Sequence, residues 1–268
     1  KLNNRFAEYY SKALDKIGSF YYTKESFDNK NPNFGSTYPD YNGAVGILFE
    51  QGSSRGIQQK SENGDVSFAF TVRNQLVTSI ATVDAANANR DALFDLQKEF
   101  YTASRIGKDA SKSFIIGDNY DQSRLRKFIQ LLLDHKLDVY DNPQDVTVNK
   151  EKYEKGKSYI VPLGQPNSAL VNIIFDETKD YSDPSKLDYG AGFSVVYSSG
   201  LSYATSAGQG RGAKVDSLPE RIISPLQQSE YAYVVDYRDS QSQYLLLKLL
   251  ENRILVKAVF SPFSVRTN

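Results

Sequence analysis

The sequence predicts an α/β protein made of two domains. Three observations support this prediction: the 268 residues exceed the usual length of one domain, 40% of them are hydrophobic, and short apolar runs alternate with amphipathic segments. A short polar stretch at residues 105–113, which contains Gly107, separates two such patterns. We therefore place the domain boundary there and expect domains at residues 1–106 and 107–268.

The first domain begins with an amphipathic helix. Residues 5–17 carry apolar side chains at helical spacing, namely Phe6, Tyr9, Tyr10, Ala13, Leu14 and Ile17. The chain opens inside this helix, as a fragment cut from a longer protein would. Residues 20–41 are rich in Asn, Asp, Pro and Gly and predict a long surface loop. Loops of this length are usually functional or disordered.

An apolar run at residues 44–50 (Ala-Val-Gly-Ile-Leu-Phe-Glu) predicts a strand that is buried on both faces of a sheet and ends on a charge. A turn-rich segment at residues 52–64 and a second strand at residues 66–72 follow. Asn74 is predicted to cap a long helix that ends near Ser104. One side of this helix is expected to face the core, with Leu76, Ile80, Val83, Leu93 and Phe100.

Residues 107–268 alternate short strands with helices. A strand at 114–116, an amphipathic helix at 121–136 and a strand at 137–140 form a β-α-β unit. Later segments repeat this order, with a strand at 157–161, a helix at 166–175, a strand at 231–236, a helix at 241–250 and a strand at 254–260. The alternation predicts a doubly wound, mainly parallel sheet. Residues 176–229, rich in Gly, Ser, Asp and Tyr, are predicted to be insertions above the sheet.

Charge and composition exclude several classes of function. Lys plus Arg equals Asp plus Glu, at 32 each, so no overall charge attracts the chain to nucleic acid or to an anionic membrane. The longest apolar runs, at residues 131–133 and 245–247, are far shorter than the roughly 20 residues that span a bilayer. With one His and no Cys, the chain by itself cannot build a histidine-rich metal centre or a thiol nucleophile. We expect this chain alone to bind no cofactor.

Glu50 ends the apolar run at residues 44–50, where an unpaired charge is costly to bury. One interpretation is structural, with Glu50 at the wet end of the strand or paired with Arg55 or Arg73. The other is functional: a partly buried carboxyl group with a raised pKa acts as a general base. Such a base takes a proton from a metal-bound water and returns it to a leaving amine. The pattern alone leaves both interpretations open.

The segment around Glu50 resembles a known enzyme family. Residues 35–43 read Gly-Ser-Thr-Tyr-Pro-Asp-Tyr-Asn-Gly, and residues 45–50 read Val-Gly-Ile-Leu-Phe-Glu. Together they are similar to the last part of the catalytic domain of zinc carboxypeptidases, in a bacterial branch of the carboxypeptidase A superfamily. For residues 1–106 the resemblance implies the C-terminal part of a carboxypeptidase-type αβα domain, with Glu50 as the catalytic general base.

The same resemblance implies a peptide substrate. Tyr38, Asp40 and Arg55 are the candidate substrate-binding residues. The family also covers the bound peptide end with a mobile tyrosine, for which Tyr38 and Tyr41 are the two candidates, and packing is the alternative role of both.

The zinc ligands of the family lie outside the resembling segment. They are a His-x-x-Glu motif and a distant His, and an Asn-Arg pair holds the substrate carboxylate. His135 is the only histidine of this chain, and a surface role on a helix of the second domain suits it better than metal ligation. We therefore assign no metal ligand, and we expect zinc only in a full-length parent.

Residues 107–268 resemble the glutamine-amidotransferase-like domain that follows such carboxypeptidase domains. Amidotransferases attack with a Cys at a turn after a strand. The corresponding turn, residues 161–168, offers only Ser168, which fits the cap of the next helix. We expect a non-catalytic partner domain, and an amidase that uses Ser168 is the remaining alternative.

Two functions follow as hypotheses. The first is a portion of a zinc metallocarboxypeptidase-like protein, which removes C-terminal residues from peptides; it retains Glu50, lacks the zinc ligands and is inactive as these 268 residues. The second is a degenerate, non-catalytic scaffold that binds peptides or proteins. The expected partner is a peptide substrate of the parent, with no nucleic acid and no membrane. Because relatives in this branch are exported, the resemblance implies a periplasmic or secreted location.

Overall fold

The chain has a mixed α/β architecture in two units. The computed structural model describes residues 2–22, 32–106, 109–176, 195–207, 210–220 and 226–264. The first unit comprises Lys1–Ala110 and Leu163–Ser198, and the second comprises Ser111–Pro162 and Ser199–Asn268. The described elements are, in order, α1 (Leu2–Lys16), a 3-10 turn (Asp40–Asn42), β1 (Gln58–Ser61), β2 (Gly64–Ser67), α2 (Phe68–Ala88), α3 (Arg90–Ile106), β3 (Lys112–Gly117), α4 (Gln122–Asp134), β4 (Tyr140–Asp141), β5 (Val146–Val148), β6 (Glu151–Tyr153), β7 (Ser158–Pro162), α5 (Ser168–Ile174), α6 (Val195–Ser199), β8 (Ser202–Ala207) and α7 (Gln241–Glu251).

The core of the first unit lies between α1 and α2. Helix α1 buries Phe6, Tyr10 and Leu14, which recur every four residues and form one face. Helix α2 buries a face of small and polar side chains: Asn74, Thr78, Ala81 and Ala85. Because alanine side chains are short, the aromatic rings of α1 pack directly against α2.

Helix α2 differs from the prediction at its start and at its end. Its cap is Ser67, whose Oγ accepts a hydrogen bond from the backbone N–H of Phe70. Asn74, the predicted cap, lies inside the helix. Most of the predicted strand at residues 66–72 is therefore helical. The chain turns at Asn89 between α2 and α3, where one continuous helix was predicted.

The predicted apolar face of α2 was also wrong over most of its length. Val83 is 68% exposed, and Leu76 and Ile80 are more than half exposed. The aromatic side chains of α1 pack closely against the alanine face of α2, and this close contact leaves no space for the larger branched side chains of α2. Leu93, on α3, does pack against the core.

Residues 44–50 do not form the predicted strand, because they have no regular secondary structure. Two of their apolar side chains, Ile47 and Phe49, are partly buried and pack against the α1–α2 core. The ring of Tyr10 meets the ring of Phe49 edge-on, with centroids 4.6 Å apart. A hairpin of β1 and β2 follows, within and just beyond the segment that was predicted to be turns.

A four-stranded sheet organises the second unit in the order β4-β7-β3-β8, and every neighbouring pair is antiparallel. The predicted parallel pairing is therefore wrong. Strands β3 and β4 do run in the same direction, since each is antiparallel to β7, and α4 connects them. The predicted order of strand, helix and strand thus exists with β7 inserted between the two strands, but the second strand begins only at Tyr140, where the predicted one (137–140) ends. Apolar runs could not reveal the insertion, because β3 and β7 are buried on both faces, as the strands of a parallel sheet would be.

Helix α4 buries the face that its sequence predicted, with Leu125, Phe128, Ile129 and Leu132. Strand β8 corrects another prediction, since residues 176–229 were expected to be insertions. Its six residues pair with all of β3 and belong to the sheet. Residues 177–194, 208–209 and 221–225 of that region lie outside the described residues.

The C-terminal region, residues 226–264, contains one regular element, α7. The runs at residues 231–236 and 254–260 were predicted as strands, but they have no regular secondary structure and are exposed. Within the described ranges no strand pairs with them. None of the helices in the described part of the chain is both long enough and apolar enough to cross a membrane.

Candidate functional site

The loop that precedes Glu50 is closed by a hydrogen bond between Asp40 and Gly46. The backbone N–H of Gly46 donates to Oδ1 of Asp40 at 2.7 Å. Gly46 is also required by space, because a Cβ there would lie 1.5 Å from the carbonyl oxygen of Ser36. Gly43 ends the 3-10 turn with a left-handed φ of 73°. These motif residues therefore fold the loop back on itself, and Asp40 holds it closed.

Asn42 connects this loop to two helices of the first unit. Its Nδ2 donates to the carbonyl oxygen of Tyr38 at 2.9 Å, and its own carbonyl accepts from the hydroxyl of Tyr101 on α3 at 3.1 Å. Asn167, at the start of α5, donates from Nδ2 to Oδ1 of Asn42 at 3.4 Å. Sequence reasoning missed Tyr101 and Asn167, since no local pattern links residues so far apart in the chain. Tyr38 itself is half-buried.

Glu50 is exposed, because side chains alternate along residues 47–50. Ile47 and Phe49 face the core, whereas Leu48 and Glu50 face solvent. The partial burial that the general-base interpretation assumed is therefore absent. The alternation nevertheless fixes the direction of Glu50, because the ring of Phe49 is held by Tyr10.

Arg55 lies on the loop that follows Glu50 and is exposed. It has a positive φ of 45°, and its backbone N–H donates to Oγ of Ser53 at 3.0 Å. Among the described residues no ion pair joins Glu50 to Arg55 or to Arg73. The guanidinium of Arg73 instead lies over the ring of Phe70, 5.1 Å from its centroid. The proposed structural pairing of Glu50 is therefore not present in the described part of the chain.

A cleft of about 690 Å³ begins at the residue after Glu50. One wall is a Gly- and Ser-rich segment, and the other is the exposed side of α2. The lining residues are Gln51, Gly52, Ser53, Ser54, Gly56, Phe68, Thr71, Val72, Gln75, Leu76 and Ser79. The cleft is shallow and open to solvent. The apolar helix wall and the polar loop wall together suit an extended peptide.

Asn74 joins the two walls of this cleft. It is 5% exposed, and its Nδ2 donates to Oε1 of Gln51 at 2.9 Å and to Oγ of Ser19 at 2.9 Å. Gln51 begins the loop wall, so Asn74 fixes that wall to α2. Because Arg73 and Gln75 flank Asn74 in the sequence, the local pattern gave no signal that this polar residue is buried.

The described residues do not fit a zinc ion. They contain no group of three or more His, Cys, Asp or Glu side chains that could hold a metal. His135 follows α4 as its C-terminal cap, and its backbone N–H donates to the carbonyl of Leu131 at 3.2 Å. The ligands of the zinc site that the resemblance implies are therefore not supplied by the described part of this chain.

The candidate nucleophile turn after β7 leads into α5. Asn167 occupies the cap position, and Ser168 is the first residue of the helix, so Ser168 is not the cap that was predicted. The backbone N–H of Ser168 donates to the carbonyl of Gln165 at 3.2 Å. The one histidine of the chain, His135, precedes Ser168 in the sequence and lies at the C-terminal end of α4.

A polar cluster at the start of α4 was not predicted. Asp121 is 2% exposed and caps the helix through the backbone N–H of Arg124 at 2.9 Å, and Nε of Arg124 lies 3.0 Å from its second oxygen. Ser240 donates to Oδ1 of Asp121 at 3.1 Å, and Ser123 donates to Oδ2 of Asp239 at 3.0 Å. These contacts fix the segment before α7 to α4.

Several groups of the β5–β6 hairpin have shifted pKa values. Desolvation, together with the negative charge of Glu151, raises the pKa of the buried Tyr153 to about 12. The pKa of Asp145 is lowered, first by the backbone N–H of Lys155 and then by the ammonium of Lys152 at 2.9 Å. The Asp145–Lys152 pair is half exposed, whereas Tyr153 packs with Ile115 and Ala204 in the core of the sheet.

Comparison of the chain with protein-family models, with curated protein sequences and with solved structures finds no significant match in any of the three. The function therefore has to be argued from the residues themselves.

Proposed function

We propose that the first unit forms part of a metallocarboxypeptidase-like protein, in which Glu50 is the general base beside a cleft for the C-terminal end of a peptide. One observation carries the proposal. The alternation of residues 47–50 directs Glu50 to solvent at the residue before the cleft begins, while Phe49 anchors the backbone in the core.

The chemistry assigned to Glu50 is proton transfer. Its carboxylate removes a proton from a water molecule as the water oxygen attacks the carbonyl carbon of the terminal peptide bond. The same proton then passes to the amine that leaves when the carbon–nitrogen bond breaks. Because the described residues do not fit zinc, the ligands that the resemblance implies would come from outside them.

Arg55 is the proposed partner of the peptide carboxylate. It lies between Ser54 and Gly56, which both line the cleft, and its guanidinium is exposed. A guanidinium can bind a carboxylate with two parallel hydrogen bonds. The apolar wall formed by Phe68, Val72 and Leu76 suits an apolar side chain at the peptide terminus.

Peptide binding can be tested on the 268-residue chain. The probe is N-dansyl-Gly-Gly-Phe, with its C-terminal amide as the comparison, and fluorescence anisotropy measures the dissociation constant. We expect Arg55→Ala to weaken binding of the acid roughly ten-fold or more, because a charged hydrogen bond is lost, and to leave binding of the amide unchanged. Leu76→Asp should weaken both. Phe94→Asp, at a similarly exposed apolar position on α3 outside the cleft lining, is the control.

Catalysis requires a separate measurement on the full-length product of the gene. Release of phenylalanine from the same peptide is followed by chromatography, with and without a chelator. We expect Glu50→Gln to abolish release and to leave the dissociation constant within about two-fold, since the substitution removes the base and keeps the shape. Full hydrolysis by Glu50→Gln would exclude Glu50 as the base.

A non-catalytic peptide-binding scaffold is the second candidate. Exposed apolar residues on α2 favour it, since they continue past the cleft as a stripe: Phe68, Val72, Leu76, Ile80 and Val83. A single apolar stripe of this length is typical of interaction surfaces. Peptide binding by the wild-type chain, with no hydrolysis by the full-length gene product, would select this function.

A further inference from the structure

Asparagine is followed by glycine twice in the sequence, at Asn42-Gly43 and at Asn63-Gly64. This dipeptide is prone to spontaneous loss of the side-chain amide. Glycine has no side chain to keep its backbone nitrogen away from the asparagine, so the nitrogen can attack the amide carbon. The dipeptides are identical in sequence, but their surroundings in the structure differ.

The side-chain amide of Asn42 is held at both ends. Its Nδ2 donates to the carbonyl of Tyr38 at 2.9 Å, and its Oδ1 accepts from Asn167 at 3.4 Å. Its backbone carbonyl is fixed as well, because it accepts from the hydroxyl of Tyr101 at 3.1 Å. The reaction requires the side chain to turn toward the next backbone nitrogen. These hydrogen bonds have to break first, and they therefore oppose the reaction.

The glycine that follows Asn42 is enclosed. Gly43 is buried, and a Cβ added there would lie 2.8 Å from the nearest ring atom of Phe100. A base has to remove the proton of the glycine nitrogen before that nitrogen attacks. Packing against the ring limits both the approach of a base and the backbone movement that closes a new ring.

Asn63 and Gly64 lie at the tip of the β1–β2 hairpin, and both are exposed. The backbone N–H of Asn63 donates to Oγ of Ser61 at 3.3 Å, but within the described ranges no hydrogen bond involves its side-chain amide. A Cβ added at Gly64 would meet no atom within 4 Å. The side chain of Asn63 is therefore able to turn, and the nitrogen of Gly64 is accessible to a base in solvent.

We propose that Asn63 is a site of spontaneous deamidation, and that the fold protects Asn42 from the same reaction. The nitrogen of Gly64 loses its proton and forms a bond to Cγ of Asn63, and the bond between Cγ and Nδ2 breaks to release ammonia. One water molecule then opens the resulting succinimide ring. Opening at Cγ gives aspartate, and opening at the backbone carbonyl gives isoaspartate. One water is consumed and one ammonia is released.

Isoaspartate changes the tip of the hairpin. It carries the backbone through the former side chain and so adds one CH2 group between Ser61 and Gly64, which are paired across the turn. Because the length of a hairpin turn sets the register of its strands, the addition disturbs the pairing of β1 with β2. Aspartate adds a negative charge and leaves the length of the backbone unchanged.

The two sites can be compared in one incubation of the wild-type chain. The chain is kept at pH 8 and 37 °C in ¹⁸O-enriched water, which labels only the molecules whose ring opens during the incubation. Digestion in ordinary water with trypsin, after Lys60 and Arg73, isolates a peptide in which Asn63 is the one asparagine. Fragment spectra of residues 31–55 locate label at Asn42. We expect label at Asn63 to accumulate roughly ten-fold faster or more, since Asn42 has to break hydrogen bonds before it reacts.

The same incubation in concentrated urea is the matched control, because unfolding removes the contacts of Asn42 and keeps both dipeptides. We expect the two sites to react at similar rates there. Equal rates at the two sites of the folded chain, or no label at Asn63, would overturn the proposal. A ten-fold difference that persists in urea would assign it to neighbouring residues of the sequence, and would refute protection by the fold.

Hydrogen exchange tests the effect on the hairpin. The isoaspartate fraction of the incubated chain is isolated by chromatography and compared with the wild type and with Asn63→Asp. We expect amides of residues 58–67 to exchange roughly ten-fold faster in the isoaspartate fraction, because the ladder is disturbed, and at the wild-type rate in Asn63→Asp. Unchanged exchange in the isoaspartate fraction would show that the hairpin tolerates the longer backbone, contrary to the proposed change in pairing.

Discussion

The carboxylate of Asp40 accepts a hydrogen bond from the backbone N–H of Gly46 at 2.7 Å, and this contact closes the loop that leads to Glu50. The two residues lie six positions apart in the sequence. The motif Asp-Tyr-Asn-Gly, residues 40–43, makes the turn that brings them together. Asp40 was predicted as a substrate-binding residue from resemblance. The hydrogen bond gives its side chain a role in the loop whether or not it also touches a peptide.

Loss of the Asp40 carboxylate should destabilise the first unit. We expect Asp40→Ala to lower its free energy of unfolding by about 1–3 kcal/mol, because a charge-assisted hydrogen bond to a partly buried N–H is lost. Asp40→Asn keeps a neutral acceptor and should lose about half as much. Urea denaturation followed by tyrosine fluorescence gives the midpoints.

Asp15→Ala is the matched control for that series, since Asp15 is exposed at the end of α1. It should leave the midpoint unchanged. If the two alanine variants unfold at the same urea concentration, the Asp40–Gly46 contact contributes nothing to stability.

The two sides of α2 should respond in opposite ways to substitution. Ala85 is fully buried against α1, so Ala85→Leu forces extra volume into a packed contact and should cost about 1–3 kcal/mol of unfolding free energy. Val83→Ser changes an exposed apolar residue and should stay within about 0.5 kcal/mol. Thermal unfolding of both variants measures the difference. Equal losses at the two positions would mean that the exposed stripe is buried in solution.

Stability should fall at high pH because of Tyr153. Burial raises the pKa of its phenol to about 12, whereas the unfolded chain releases the same proton near pH 10. Between these values the folded state binds more protons, so the free energy of unfolding decreases as pH rises from about 10 to about 12. The contribution is complete below pH 10 and is lost above pH 12.

Tyr153→Phe isolates the contribution of Tyr153 to this pH dependence, since phenylalanine keeps the ring and lacks the titrating hydroxyl. We expect the wild-type chain to lose stability relative to Tyr153→Phe on going from pH 9.5 to pH 11.5, measured as the difference between their urea midpoints. Parallel pH profiles would assign the alkaline loss to other groups, among them Tyr10 and Tyr159, whose pKa values burial also raises.

Local sequence patterns predicted the helices well where one face is consistently apolar. Helices α1 and α4 bury the side chains that their spacing predicted, because an amphipathic stretch has only one way to hide its apolar face. Helix α2 is apolar on more than one side, so spacing could not decide which side packs. Helix α1 determines which side of α2 is buried, since its aromatic rings pack against Ala81 and Ala85 and leave Val83 in solvent.

Sheet pairing and the candidate site depended on contacts between distant residues, which a single sequence does not encode locally. The insertion of β7 between β3 and β4 leaves no trace in the apolar pattern of any one strand. Glu50 was predicted as a general base from its motif, and its exposure follows from the packing of Phe49 on Tyr10, nearly 40 residues earlier. Asn74 was predicted to cap a helix, because Asn is one of the preferred residues at the N-cap position. Its buried partners, Ser19 and Gln51, could not be inferred from that preference.

Asn74 therefore provides a direct test of how the first unit shapes the cleft. Asn74→Leu keeps the branched shape of the side chain, with larger methyl groups, and removes both hydrogen bonds, so Ser19 and Gln51 lose their partner. We expect a loss of about 1–3 kcal/mol in unfolding free energy, and at least a five-fold weaker binding of N-dansyl-Gly-Gly-Phe, because Gln51 no longer fixes the loop wall to α2. Asn87→Leu, an exposed position on the same helix, should change neither quantity. If Asn74→Leu loses stability but binds the peptide normally, the bond to Gln51 does not shape the binding site, and the peptide lies elsewhere on the unit.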